Sequence, residues 1–72
     1  MKSNILIWFC VNRDGQVRMF LDEPKRNVKA GRFEGTSPYV NTIIYRDMCE
    51  VVKQAKMNFE TDPQAIEIQI QQ

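Results

Sequence analysis

Near its beginning the chain carries a predicted β-hairpin whose two faces are both apolar. The strands would be residues 5–11 and 16–21, and the Asn-Arg-Asp-Gly sequence at residues 12–15 is typical of a type I turn closed by a glycine bulge. Side chains alternate between the two faces of a strand, so a pairing of Asn12 with Gln16 determines every later pair. The sequence therefore predicts both faces residue by residue.

The two predicted faces carry different sets of side chains. The first face holds Ile7, Phe9, Val11, Val17, Met19 and Leu21. The second face holds Leu6, Trp8, Cys10, Arg18 and Phe20, with Trp8 directly opposite Phe20. One helix covers only one face of a sheet, so the second face must be covered by a loop, another subunit or a partner. The sequence leaves these three alternatives open.

The length of the chain limits the size of its core. Its 72 residues predict a single domain, residues 1–72, near the lower size limit for a fold without metal or disulfides. A hydrophobic content of 43% and a charged content of 26% exclude a wholly disordered chain and a coiled coil. The net charge of +1 provides no whole-molecule attraction to nucleic acid or to an anionic membrane.

The apolar runs of the sequence are too short for a membrane-spanning helix, which needs about 20 residues. The run at residues 5–11 also lacks the cleavage pattern of a secretory signal, so we interpret it as a strand and expect a soluble protein. The predicted geometry places Cys10 and Cys49 on opposite sides of the sheet. An internal disulfide is therefore not expected, and a cytoplasmic location is predicted.

A long amphipathic helix is predicted to begin at Ser37 and Pro38. Serine is a favourable N-cap residue, and proline is tolerated at the first helical position. Apolar residues then recur at steps of three and four: Val40, Ile43, Ile44, Met48, Val51, Val52, Ala55 and Phe59. Cys49 falls at the centre of the opposite, polar half. The predicted helix has about five turns and ends near Asn58.

A second interpretation of the same segment is a strand followed by a shorter helix. Residues 40–44 are rich in β-branched side chains, which favours a strand, and the helix would then begin at Asp47. The long helix is preferred because one helical period accounts for all of its apolar positions.

The last part of the chain predicts a strand. Residues 60–63, which include a proline, form a break after the helix, and residues 65–71 alternate strictly, with Ile66, Ile68 and Ile70 facing inward. A terminal strand of this kind often lies at a sheet edge, and it contains no proline or lysine to block another strand. A two-fold dimer through this edge is plausible, although a central position would make the strand unavailable.

The predicted fold class is α+β. Residues 22–36 show no sustained period, although residues 28–33 are compatible with a short edge strand. The order of elements is β-β-loop-α-β, which predicts a small antiparallel sheet with one long helix on one face.

The sequence carries no recognisable catalytic or metal-binding motif. It contains no histidine, the commonest general base and metal ligand. Cys10 and Cys49 lack the spacing of a zinc site, and no glycine-rich phosphate loop is present. Glu60, Asp62 and Glu67 are interpreted as carboxylates around a solvated turn. We therefore predict that the chain is not an enzyme and uses no cofactor or metal.

Trp8, Arg18 and Phe20 form the predicted partner-binding site. Aromatic rings beside an arginine suit a protein contact, and they also suit stacking of single-stranded nucleic acid. Packing of the two rings, within the chain or at a dimer contact, is the simpler interpretation.

Four basic residues in the predicted loop form a second candidate site: Lys25, Arg26, Lys29 and Arg32. A flexible basic loop suits phosphate contact. The acidic residues on both sides favour a solvated loop instead.

The two ends of the chain resemble a group of small uncharacterised proteins from bacteria, their phages and mobile elements. The likeness rests on Phe9, Val11, Asp14-Gly15, Phe20, Pro24 and Arg26, and on Asn-Phe-Glu-Thr-Asp-Pro at residues 58–63 before a short Ile-rich end. The middle differs, since those proteins tend to have a tryptophan-containing loop and a briefer helix. The resemblance implies an accessory protein inside a bacterial cell and transfers no activity.

These patterns together predict a cytoplasmic, non-catalytic protein-interaction module that associates with itself as a homodimer. The alternative is a nucleic-acid-binding module that uses the aromatic face and the basic loop. Salt distinguishes them, because phosphate contacts weaken steeply with salt and apolar contacts hardly do.

Overall fold

A computed structural model of the chain describes residues 2–71 and the side chains of residues 3–69. Within this range the elements follow in the order β1 (Lys2–Val11), β2 (Val17–Phe20), β3 (Lys25–Asn27), β4 (Arg32–Glu34), α1 (Thr42–Ala55) and β5 (Gln64–Gln71). One antiparallel sheet has the spatial order β2-β1-β5, and β3 pairs with β4 in a separate hairpin. The predicted α+β class is confirmed.

The first hairpin has the predicted register. Trp8 pairs with Phe20, and the Asn12 N–H donates to the carbonyl oxygen of Gln16 at 2.9 Å. Gly15 closes the turn with a φ of +89°, a left-handed conformation that glycine adopts without a steric cost. The turn sequence thus determines which side chains share a face.

The main core lies between the helix and the first face of the sheet. Its buried side chains are Ile7, Phe9, Val11, Val17, Met19, Met48 and Val52. Each such side chain stabilises the fold by roughly 1.5–3 kcal/mol relative to its exposed state. The prediction that Leu21 belongs to this face is wrong. Leu21 is 46% exposed, because the chain leaves β2 after Phe20 and the Leu21 N–H donates to Ser37.

The helix is shorter than predicted. It begins after Asn41, whose side-chain oxygen accepts the N–H groups of Ile43 and Ile44, each at 3.1 Å. Lys56 ends it in the left-handed conformation, with a φ of +55°. The alternative of a strand at residues 40–44 is also wrong, because most of that segment is already helical.

The apolar period of this segment continues beyond the helix at both ends. Val40 precedes the helix and is 90% exposed, whereas Phe59 follows it and packs elsewhere. The predicted start at Ser37 and Pro38 is wrong, because Pro38 forms an antiparallel bridge with Phe20. This segment therefore extends the sheet at β2 before the helix begins.

The second face of the sheet is covered by the chain itself. Residues 22–36, predicted as an irregular loop, contain the β3–β4 hairpin that folds over this face. Phe33 and Phe59 pack with Cys10 and Phe20 in a second cluster, and the rings of Phe33 and Phe59 meet edge to face at 5.4 Å. Of the three covers that the sequence left open, a loop of the same chain is the one present.

Hydrogen bonds to the polar side chains of Asn12 and Asp22 join this second hairpin to the first. The buried Asn12 accepts the Phe33 N–H at 2.8 Å through its Oδ1 atom. Asp22 accepts the N–H groups of Thr36 and Ser37, at 2.9 and 2.8 Å. These hydrogen bonds, that from Thr36 first, hold the pKa of Asp22 below its usual range. These hydrogen bonds hold the second hairpin against the first.

β1 and β5 extend beyond the rest of the sheet as a two-stranded ribbon. β5 pairs with residues 2–9 of β1, whereas β2 pairs only with residues 8–11. The predicted C-terminal strand is confirmed, and Ile66 and Ile68 pack against the main core. The side chain of Ile70, also predicted to face inward, lies outside the described residues.

Candidate functional site

The structure removes Phe20 from the predicted partner-binding site. Phe20 is only 7% exposed, because Phe33 and Phe59 pack against it. The backbone at Gly35 lies so close that a Cβ atom there would be 2.6 Å from Cδ1 of Phe20. Contrary to the prediction, Phe20 is therefore not available to a partner.

Trp8 and Arg18 lie at the border of the second cluster. Trp8 is partly buried against it, whereas Arg18 is exposed and donates from Nη2 to Oε1 of Gln16 at 2.7 Å. With Phe20 covered, these side chains do not form the open aromatic platform that the sequence predicted.

Arg26, predicted to contact phosphate, is a structural residue. Its Nε donates to the carbonyl oxygen of Phe59 at 3.0 Å, and its Nη2 lies 3.3 Å from Oδ1 of Asp62. Its guanidinium carbon lies over the rings of Phe33 and Phe59, at 5.0 and 5.7 Å from their centroids. These contacts tie β3 to the turn that precedes β5.

The other three predicted phosphate-contacting residues lie on the surface of the second hairpin. Lys25 and Lys29 are exposed. Arg32 forms an ion pair with Glu34 at 3.1 Å. Hydrogen bonds from Asn27 and from Arg32 lower the pKa of Glu34. Part of the positive charge of this segment is therefore already neutralised.

A cleft of about 480 Å³ between the turns of the two hairpins brings together arginines that are distant in sequence. Arg13, Arg18 and Arg32 line it, together with Asp14. Arg13 also donates from Nη2 to the carbonyl oxygen of Val28 at 2.8 Å. The cleft has a net positive lining, which suits an anionic group.

The thiol of Cys10 is poorly suited to nucleophilic chemistry. Cys10 is fully buried, and this burial raises the pKa of its thiol to about 12, although Arg18 acts in the opposite direction. Cys49 is partly buried against the main core, so its predicted place at the centre of an exposed polar face is wrong. Cys10 and Cys49 lie on opposite sides of the sheet, as predicted. Among the described residues, no group of three or more Cys, Asp and Glu side chains is placed to hold a metal ion.

The outer edge of β2 is occupied by the chain itself. The Leu21 N–H donates to Ser37, and the Tyr39 N–H donates to the carbonyl oxygen of Met19 at 3.0 Å. A cavity of about 580 Å³ lies beside this edge, with Arg18 among its lining residues. No strand can be added here without displacing residues of the chain.

The outer edge of β5, by contrast, has no neighbouring strand in the described part of the chain. Backbone N–H and C=O groups alternate in direction along a strand. The Asn12 N–H donates to Gln16, so even-numbered residues of β1 direct these groups toward β2 and odd-numbered residues direct them toward β5. Odd residues of β1 pair with even residues of β5, as Ile5 does with Ile68. The β5 residues with side chains described whose backbone polar groups point outward are therefore Ala65, Glu67 and Gln69.

This edge lacks the features that usually block strand addition. The sequence of β5 is Gln-Ala-Ile-Glu-Ile-Gln-Ile-Gln, with no lysine or proline. Its one charged residue, Glu67, accepts a hydrogen bond from Nδ2 of Asn4 at 2.7 Å. The edge is long, nearly uncharged and open to another strand.

The sheet face beside this edge is apolar beyond the area that the helix shields. Ile5, Ile66 and Ile68 are only partly buried at the border of the main core. A strand added at β5 would therefore meet apolar side chains as well as backbone groups.

Sequence reasoning missed two residues that build these surfaces. Asn12 was assigned only to the turn, because its burial, which requires a hydrogen-bond partner for its side chain, is not visible in the sequence. Gly35 has no local signal, because its importance comes from contact with a ring that is distant in sequence. The β5 edge was predicted only as one alternative, because alternation does not reveal the position of a strand in a sheet.

Comparisons of the chain with protein-family models, with curated proteins and with solved structures found no match. In the part of the chain that the structure describes, no helix has the length and apolar character needed to cross a membrane.

Proposed function

We propose that the chain is a non-catalytic protein-interaction module that binds a partner strand along the outer edge of β5, with a second copy of the chain as its first partner. The observation that carries this proposal is the outer edge of Gln64–Gln71, beside which the described residues place no strand and where the helix covers the sheet face only in part. In strand addition, backbone hydrogen bonds provide affinity and alternate side chains provide selectivity.

A cytoplasmic location and an accessory role in a bacterial or phage system belong to the same proposal. They are supported by the resemblance at the two ends of the sequence. The two free cysteines, Cys10 and Cys49, fit a reducing compartment.

Proline at position 69 tests the proposal. The N–H of Gln69 points outward, so Gln69→Pro removes a donor from the open edge and leaves the β1–β5 hydrogen bonds in place. We expect the association constant, measured by sedimentation equilibrium, to fall by at least about tenfold, because a hydrogen bond is lost and the ring opposes the incoming strand.

The matched control is Gln69→Thr, which keeps the backbone N–H and suits a strand. Because it keeps this donor, it should weaken association much less than the proline variant does. Equal association of the proline and threonine variants, with circular dichroism showing both folded, would contradict binding through this edge.

Phosphate binding by the arginine cleft is a second candidate function. The observation that favours it is the convergence of Arg13, Arg18 and Arg32 on one opening. A single-stranded oligonucleotide labelled with a fluorophore should then bind with an affinity that falls steeply as salt increases. Arg18→Ala should weaken this binding, whereas Lys53→Ala, on the exposed last turn of the helix, should not. Absence of binding at low salt would exclude this candidate.

A further inference from the structure

Resting on the proposed function, we infer that two copies of the chain pair through β5 with Ile68 of one copy directly opposite Ile68 of the other. The two-fold axis of the dimer passes between these two residues, and we call this register an axis at Ile68. The two three-stranded sheets then join into one continuous antiparallel sheet. Because such an axis is perpendicular to the sheet, both helices lie on the same face of the dimer.

The alternation of side chains restricts the possible registers. Residues that lie directly opposite each other in an antiparallel pair share a face. If no residue lay opposite its own counterpart, even-numbered residues of one copy would face odd-numbered residues of the other. The isoleucines of one copy would then lie on the polar face of the other. One residue of β5 must therefore lie directly opposite its own counterpart, with the axis between the two. The candidates near the middle of β5 are Ile66, Glu67, Ile68 and Gln69.

The length and charge of β5 select among these four candidates. The strand spans Gln64–Gln71, so an axis at Ile66 or Gln69 shortens the paired segment. An axis at Glu67 places two carboxylates directly opposite each other, which is unfavourable. An axis at Ile68 keeps the long overlap and places Glu67 opposite Gln69 of the second copy, whose amide can donate to the carboxylate.

The directions of the backbone groups agree with this register. Glu67 and Gln69 direct their N–H and C=O groups outward. In this register, Glu67 of one copy forms a hydrogen-bonded pair with Gln69 of the other copy. Ile68 meets its own counterpart in a non-hydrogen-bonded pair, in which side chains are closest, with Cβ atoms about 4.5–5.5 Å apart.

The size of this contact predicts a reversible dimer. A standard interface takes about 800 Å² from each partner, roughly 15% of the 5190 Å² accessible surface of this chain. The helix contacts β2 and β1, so we expect the pairing of one strand from each copy to bury less than that. We therefore expect a dissociation constant on the order of micromolar.

A cysteine scan of β5 tests the position of the axis. Single cysteines are placed at Ile66, Glu67, Ile68 and Gln69 in a Cys49→Ser background, and Cys10 remains because it is fully buried. Only a residue on the axis faces its own counterpart. Under mild oxidation Ile68→Cys should therefore form a disulfide-linked dimer about tenfold faster than the other three variants.

Each outcome of the scan has a distinct meaning. Fastest cross-linking at another position overturns the register. If no position cross-links while Gln69→Pro still weakens association, strand addition stands and the two-fold dimer is wrong. If no position cross-links and Gln69→Pro has no effect, the proposed function is wrong as well.

Charge changes at position 69 provide a second test that leaves the core untouched. With the axis at Ile68, Gln69→Lys faces Glu67 of the second copy and Gln69→Glu repels it. Since the pair occurs twice in the dimer, we expect the two variants to shift the dissociation constant in opposite directions, each by roughly 2- to 30-fold. Ala30→Lys and Ala30→Glu, in the exposed turn of the second hairpin, are the matched controls. Weakening by both changes at position 69 would instead indicate an axis at Gln69.

Discussion

Gly35 allows the second hairpin to lie against the first because it has no side chain. A Cβ atom at this position would lie 2.6 Å from Cδ1 and 3.0 Å from Cγ of Phe20. We expect Gly35→Ala to lower the free energy of unfolding by about 1–3 kcal/mol, because the ring or the hairpin must shift. Urea unfolding measures this change.

A double-mutant cycle shows whether the contact with Phe20 is the cause. Phe20→Leu removes the ring that the new methyl group would meet, so Gly35→Ala should cost less in that background. An equal cost in both backgrounds would mean that Gly35 does not pack on Phe20.

Cys10 makes stability depend on alkaline pH. Burial raises the pKa of its thiol from 9.0 to about 12 in the folded chain. Above pH 9 the unfolded chain loses this proton and the folded chain keeps it. The contribution of the neutral thiol to the free energy of unfolding is therefore fully present below pH 9 and is lost as the pH rises toward 12. The slope is at most about 1.4 kcal/mol per pH unit.

Urea unfolding between pH 8 and pH 11 measures the effect, because this range includes the onset of the loss and about two of its three pH units. The matched variant is Cys10→Ala, which is less stable near neutral pH but lacks the titrating thiol. Its free energy of unfolding should fall less steeply with pH than that of the unmodified chain. Parallel curves for the two proteins would show that Cys10 ionises as freely in the folded state as in the unfolded state.

At the scale of single residues, the sequence predicted the faces of the first hairpin well. The turn at residues 12–15 determines the register of the two strands and therefore which side chains share a face. This register places Phe9 and Met19 in the main core. The error at Leu21 has a local cause, since its N–H bonds to Ser37 where β2 ends. No sequence pattern indicates that contact, because Leu21 continues the alternation of the strand.

At the scale of elements, Arg26 holds the second hairpin to the rest of the fold. It combines the hydrogen bond to Phe59 with stacking on two aromatic rings. We expect Arg26→Ala to lower the free energy of unfolding by about 1–3 kcal/mol, mainly through lost packing and an unpaired carbonyl group. Lys25→Ala, a neighbouring change at an exposed residue, should cost less than about 0.5 kcal/mol.

The ion pair between Arg26 and Asp62 is expected to contribute little to the free energy of unfolding. The Asp62 side chain is 85% exposed, and exposed ion pairs contribute about 1 kcal/mol or less. Asp62→Ala should therefore be much milder than Arg26→Ala in the same urea experiment. Equal losses for both variants would assign the stabilisation to the ion pair instead of to the aromatic contacts.

The elements themselves were predictable where a period is long enough to be recognised. The alternation of residues 65–71 predicted β5, and the helical period predicted a helix around Met48 and Val52. The start of the helix was wrong because Val40 continues the apolar period by coincidence and remains exposed. The β3–β4 hairpin was missed because strands of three residues carry no detectable period.

At the scale of the whole molecule, the chain is elongated. Its radius of gyration is 12.2 Å, and its extents are 43 × 26 × 17 Å. A compact chain of this length has a radius of gyration of roughly 11 Å. The difference reflects the β1–β5 ribbon, in which residues 2–7 of β1 pair with β5 and not with β2. Isolated two-stranded ribbons are marginally stable, so an added strand would stabilise this part of the molecule.

The position of β5 could not be derived from the sequence. A strand of alternating pattern fits the centre or the edge of a sheet, and only the pairing of β1 with both β2 and β5 places β5 outside. The candidate interaction site therefore moved from the aromatic face, which the second hairpin covers, to the edge of β5.

Amide hydrogen exchange along β5, followed by NMR at low and high protein concentration, tests this edge most directly. In the monomer, Ile66 and Ile68 should exchange slowly because their N–H groups bond to β1, whereas Glu67 and Gln69 should exchange quickly. At high concentration we predict that Glu67 and Gln69 become protected as well. Fast exchange of both residues at a concentration where the chain is dimeric would show that the dimer forms elsewhere.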